Sequence, residues 1–202
     1  CHTTGFLPER QALDVFWNIP NSLTLHRIVL IPVLVILFLL PVAWAREASA
    51  VVFLVAAVTD WFDGYLARRL GQTSKFGAFL DPVADKLMVA TALVLLVYAD
   101  PRVSIAVAAV IIVGREITIS SLREWMAELG MRATVAVSMV GKIKTAAQMA
   151  AITLLLWKDE LFGLPVYEIG LILLFFAAAL TLWSMFAYLK AAWPILRDET
   201  TD

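Results

Sequence analysis

Six apolar runs dominate the chain, at residues 22–40, 48–67, 82–99, 103–122, 143–157 and 166–189, with short polar breaks between them. Each is close to the roughly 20 residues that a helix needs to cross a bilayer. The breaks carry turn chemistry: Pro41 follows the first run, Asp100-Pro101 separates the third from the fourth, and Gly163 and Pro165 precede the sixth. The pattern predicts an all-α integral membrane protein with six transmembrane helices. The fifth run is the weakest, because Lys144, Thr145 and Gln148 fall in its first turns. No repeat or low-complexity tract interrupts the series, so residues 17–202 read as one six-helix domain. Residues 1–16 are too short and too polar for the apolar region of a signal peptide, and read as either an added leader or an interfacial segment.

Composition agrees. Of 202 residues 61% are hydrophobic and the mean hydropathy is +0.85, values that belong to a membrane protein rather than a soluble one. The net charge of -1 identifies no partner, and none is expected among nucleic acids; where the charges fall is more informative. With six spans, Arg46, Arg102 and Lys158 lie on one side of the membrane. Arg10, Arg27, Arg68, Arg69, Lys75, Lys86, Arg115, Arg123, Arg132, Lys142, Lys144, Lys190 and Arg197 lie on the other. The positive-inside rule then predicts that both termini face the cytoplasm. The lone Cys1 rules out an intrachain disulfide or a Cys metal cluster, and His2 and His26 are too few for a His-rich zinc site.

The densest chemistry lies between Asp60 and Asp85. Two carboxylate pairs, Asp60/Asp63 and Asp81/Asp85, each border an apolar run, at spacings of three and four that put both members on one helix face. Ionised carboxylates near a bilayer core are costly and usually mark function. Four of them together need counter-charge, because like charges raise one another's pKa. Hard divalent cations with oxygen ligands supply that charge, and two such ions balance four carboxylates. Buried ion pairs with Arg68, Arg69 and Lys86 are the alternative, but they leave the neighbouring glycines without a purpose. Gly64, one turn after Asp60, serves either close ligand approach or helix packing. Arg68 offers a planar fork for phosphate oxygens, whereas Arg69 reads as a snorkelling cation. Asp81 followed by Pro82 reads as a helix start, where an anion is favoured.

The full pattern, Asp60, Asp63, Gly64, Ala67, Arg68, Gly77, Asp81 and Asp85, resembles the signature of the CDP-alcohol phosphatidyltransferases, integral membrane enzymes of phospholipid synthesis. The resemblance implies two Mg²⁺ or Mn²⁺ ions, one held by Asp60, Asp63 and Asp81 and one by Asp60, Asp81 and Asp85, with Asp85 as general base. It implies that Gly64, Arg68 and Ser74 contact the cytidine diphosphate of the lipid donor CDP-diacylglycerol. The text W-N-I-P-N-S-L-T-L-H-R near the start is similar to the entry segment of the phosphatidylglycerophosphate synthase branch, which adds Asn21 and Thr24 as donor contacts. Asn21 or Ser22 capping the first helix accounts for the same residues. A homodimer in a bacterial inner membrane, with the site facing the cytoplasm, is likewise what the resemblance implies.

The family accepts several alcohols, so its signature names a reaction and not a product. The segments G-R-E-I-T-I-S-S-L-R-E and G-K-I-K-T-A-A-Q-M contain Arg115, Arg123, Lys142 and Lys144, a cationic set suited to an acceptor bearing its own phosphate. Some of these residues also serve as topology signals. Arg115 and Arg123 are eight apart and fall on one broad helix face. Lys142 and Lys144, two apart, point different ways, and Arg115 and its neighbour Glu116 are not expected to face each other. The wording of both segments resembles the same branch and implies glycerol 3-phosphate as acceptor; inositol phosphate and serine are the alternatives within the family. A divalent-cation transporter is the competing class, but no carboxylate continues the Asp cluster through the membrane core. A scaffold has no need of paired Asp.

Overall fold

The computed structural model describes the backbone of residues 19–70, 75–128 and 139–198. Within these it describes the side chains of residues 25–59, 80–127 and 141–190, and of Trp193. The chain forms six helices: α1 (Ile19–Leu39), α2 (Ala45–Leu70), α3 (Lys75–Ala99), α4 (Val103–Glu128), α5 (Met139–Trp157) and α6 (Val166–Asp198). Each apolar run became one helix. Most helices outrun their apolar segments, because the helical backbone satisfies its own hydrogen bonds and continues into polar sequence beyond the hydrocarbon. Leu80–Ala99, Val103–Ala127 and Val166–Lys190 are long and apolar enough to cross a bilayer, with mean hydropathies of 1.7, 1.9 and 2.3. The protein is an integral membrane protein.

α5 and α6 make the most extensive contact; α1 packs on both α2 and α3, α2 on α5, and α4 on α3 and α6. The shared core is built from Leu34, Phe38, Phe53, Leu93, Ile112, Ile152 and Leu155, interleaved with Ala50, Ala92, Ala108 and Ala151. Lipid tails are as apolar as these side chains, so helix association depends on close packing, which small residues permit. Gly170 of α6 is the clearest case: a Cβ there would lie 3.0 Å from Cγ of Leu155 on α5. The turn between those helices uses left-handed backbone at Lys158, Phe162 and Gly163, as the Gly163/Pro165 chemistry predicts.

One expectation is corrected. Asp81 and Pro82 do not start a helix: α3 begins at Lys75 and Pro82 lies inside it. Pro costs a rung of the ladder, but membrane helices tolerate it where neighbouring groups re-satisfy the backbone, and a Pro beside Asp is then no start signal. The helix-dipole argument for Asp81 falls with it. Residues 71–74, between α2 and α3, lie outside the described residues. Among the described residues, α1 leans on both helices and forms a third wall of the region that carries Asp85.

Candidate active site

The motif residues Asp60, Asp63, Gly64 and Arg68 lie on the last turns of α2, and Asn21 and Thr24 on the first turns of α1; their side chains, and Ser74 altogether, fall outside the described residues. Asp81 and Asp85 are one turn apart on α3, both partly buried, and the side chain of Asp85 retains 43% exposure. Opposite it sits a residue that the sequence marked only as a topology signal. Arg27 of α1 is 3% exposed and its Nη1 donates to Oδ1 of Asp85. An Arg at that depth needs a carboxylate, since removing one partner of a buried ion pair typically costs about 3–5 kcal/mol. The signal was available: Arg27 interrupts an otherwise apolar run.

A second cluster forms where α4 meets α5. Oε1 of Glu116 accepts from Nη1 of Arg115 at 2.7 Å and from Nζ of Lys144 at 2.6 Å. Lys144 is buried, whereas Lys142 is exposed, as two residues at that spacing should be. The expectation that Arg115 and Glu116 avoid each other is overturned. The spacing rule describes Cβ directions, and a long guanidinium stem reaches round the helix to the Glu116 carboxylate. Nε of Arg115 is buried with no hydrogen-bond partner among the described residues. Arg123 and Lys142 are exposed and take no part in this cluster.

Between α3, α4 and α5 lies a cavity of about 400 Å³. Its polar lining is Asp85, Lys86, Glu116, Thr145 and Gln148, set in an apolar wall that includes Val89, Val113 and Met149. Asp85 and Glu116, the lining member of the second cluster, therefore border one space although they are far apart in sequence, with Arg115 and Lys144 held behind Glu116. Gln148 is 4% exposed and its Oε1 is buried without a partner among the described residues, a defect worth about 1–3 kcal/mol if nothing fills it. Sequence reading quoted Gln148 but assigned it nothing.

The donors fit a hard divalent cation. Asp81 and Asp85 offer oxygen alone, on one face and within reach of solvent. Among the described residues no third His, Cys or acidic side chain joins them, and Asp60 and Asp63 lie beyond those described.

The family model for CDP-alcohol phosphatidyltransferases matches residues 17–183. The chain belongs to that family. Proteins named CDP-diacylglycerol–glycerol-3-phosphate 3-phosphatidyltransferase from Escherichia coli (strain K12), Shigella flexneri serotype 5b (strain 8401) and Salmonella choleraesuis (strain SC-B67) are each 54% identical to it over 183 residues. Those alignments cover 91% of this chain and 99% of each relative.

Proposed function

We propose that the chain transfers the phosphatidyl group of CDP-diacylglycerol to glycerol 3-phosphate, giving phosphatidylglycerophosphate and CMP. The observation that carries this reading is 54% identity, along almost the full length of relatives named for that reaction. The cavity supports it. Behind its lining residue Glu116, Arg115 and Lys144 set two positive charges against one carboxylate, a cationic excess suited to a phosphorylated acceptor and ill suited to choline.

In this reading Gly64, Arg68 and Ser74, with Asn21 and Thr24, hold the cytidine diphosphate of the donor. Asp60, Asp63, Asp81 and Asp85 would bind two Mg²⁺ or Mn²⁺ ions, which when present stabilise charge on the attacking and leaving oxygens. Arg115 and Lys144 grip the acceptor phosphate, with Arg123 and Lys142 at the approach. Asp85 takes the proton of the acceptor hydroxyl as its oxygen bonds to the phosphorus that bears diacylglycerol. The bond from that phosphorus to CMP breaks, and the electron pair leaves on the CMP phosphate. Arg27 orients Asp85 by its hydrogen bond. The Lys and Arg distribution supports a site facing the cytoplasm at a bacterial inner membrane; a homodimer follows from the resemblance.

The test is purified protein in detergent with CDP-diacylglycerol and radiolabelled glycerol 3-phosphate. Label should enter the lipid fraction with one CMP released per transfer. Turnover of serine or inositol phosphate in place of glycerol 3-phosphate overturns the acceptor. Divalent-cation flux into proteoliposomes with no CMP release overturns the transferase.

A further inference from the structure

A phosphorylated polyol brings two kinds of hydroxyl into the cavity. Glycerol 3-phosphate has a primary hydroxyl that can attack and a secondary hydroxyl that does not react. Once the acceptor is enclosed between α3, α4 and α5, the second hydroxyl has lost water and needs a partner. The described side chains leave one such partner open.

Gln148 lines the cavity, is almost wholly buried, and its Oε1 has no hydrogen bond among the described residues. It lies one helical turn from Lys144 on the same face of α5, and Lys144 in turn holds Glu116 on the same cavity wall. Asp85 borders the opposite side from α3. A three-carbon acceptor that enters this cavity with its terminal hydroxyl at Asp85 brings its middle carbon into the space that Gln148 also lines. We propose that Gln148 is a specificity-determining residue that hydrogen-bonds the secondary, non-reacting hydroxyl of the acceptor. A hydroxyl both donates and accepts, so it satisfies the amide whichever way the amide group is turned. An acceptor without that hydroxyl leaves the buried amide unpaired, which is how sites built for a hydroxyl reject its absence.

This inference rests on the phosphorylated-acceptor reading, and one experiment distinguishes their failures. The full-length protein is assayed with CDP-diacylglycerol and either glycerol 3-phosphate or 3-hydroxypropyl phosphate, which lacks only the secondary hydroxyl. Wild type should favour glycerol 3-phosphate by about 10- to 100-fold in kcat/KM, the range expected when a buried polar group loses its partner. In Gln148→Leu and in the unbranched Gln148→Met, that preference should collapse to within about threefold. The ratio is taken within one preparation, so a reduced folded fraction cancels. A purely structural Gln148 would lower both acceptors equally and keep the ratio, which would overturn the proposal. Equal use of the two acceptors by wild type would overturn it as well. If wild type turns over neither phosphate ester but consumes another alcohol, the acceptor reading itself falls and takes this inference with it.

Discussion

The two ends of the helix bundle use charge in opposite ways. At the end holding Arg46, Asp100, Arg102 and Lys158, the charged groups lie mostly at the surface and satisfy one another. Nε of Arg102 donates to Asp100 at 2.9 Å, the Tyr167 hydroxyl donates to the same carboxylate, and Arg46 sits 4.5 Å from the centre of the Phe38 ring. At the other end Arg27 and Lys144 are buried, three ionised groups share one cluster, and Arg115 Nε and Gln148 Oε1 have no partner among the described residues. Glu47 Oε2 is an exception at the first end, but it sits in the first turn of α2, where unpaired backbone N–H groups favour an anion. Satisfied surface charge anchors a helix turn at the membrane boundary. Buried charge with spare hydrogen-bonding capacity leaves polar groups that a ligand can satisfy.

The comparison breaks hardest at the metal. Chelation by EDTA should abolish turnover, and Mg²⁺ or Mn²⁺ should restore it, because oxygen-only carboxylate donors select hard cations. Full activity after exhaustive chelation would remove the two-ion reading. Next in size, Asp85→Asn should lower kcat by at least ~10²-fold while CDP-diacylglycerol still binds, because the amide keeps the shape but cannot take a proton. A binding assay beside the activity assay checks both halves.

A smaller effect separates the two ends directly. Arg115→Ala should lower kcat/KM for glycerol 3-phosphate by about 10- to 100-fold, the equivalent of roughly 1.5–3 kcal/mol for a charge-assisted contact. Arg102→Ala, at the opposite end, should leave acceptor kinetics unchanged. Matching losses in the two variants would mean that charge is interchangeable between the ends. Smallest of all is a pH effect at the anchoring end. Arg102, and then Tyr167, hydrogen-bond the Asp100 carboxylate and hold its pKa below the ordinary value. The folded pKa is thus lower than the unfolded one, so this contact stabilises above about pH 4 and is lost as the pH falls further. Asp100→Asn should therefore reduce the thermal midpoint slightly at pH 7, on the scale of an exposed pair at about 0.2–1 kcal/mol, and the difference should shrink as the pH falls through the folded pKa.

Helix number was legible in the sequence because burial in lipid needs only long apolar runs, and these are local. The Asp signature was legible for the same reason, since its spacing is a property of two consecutive helices. Three features of the site were not. Pro82 read as a helix boundary because soluble-protein capping rules do not govern a helix that lipid compels to continue. Arg27 read as a topology signal because its partner Asp85 lies 58 positions away. Glu116 read as irrelevant because the rule for adjacent residues says nothing about Lys144, which arrives from another helix. The last two misses each concern a charged residue within a span whose partner is set by packing.

The close approach of Gly170 to Leu155 has a consequence for how this protein can change over evolutionary time. That lock on α5 sits seven residues beyond Gln148, about 10 Å along the helix. Substitutions separated by such a distance, with no shared neighbour, generally act independently. On α5, the Gly170–Leu155 contact and Gln148 thus occupy different stretches of one helix. With Gln148 in the role proposed above, substitutions at 148 act apart from this Gly170–Leu155 contact, so a change of alcohol preference there need not loosen it.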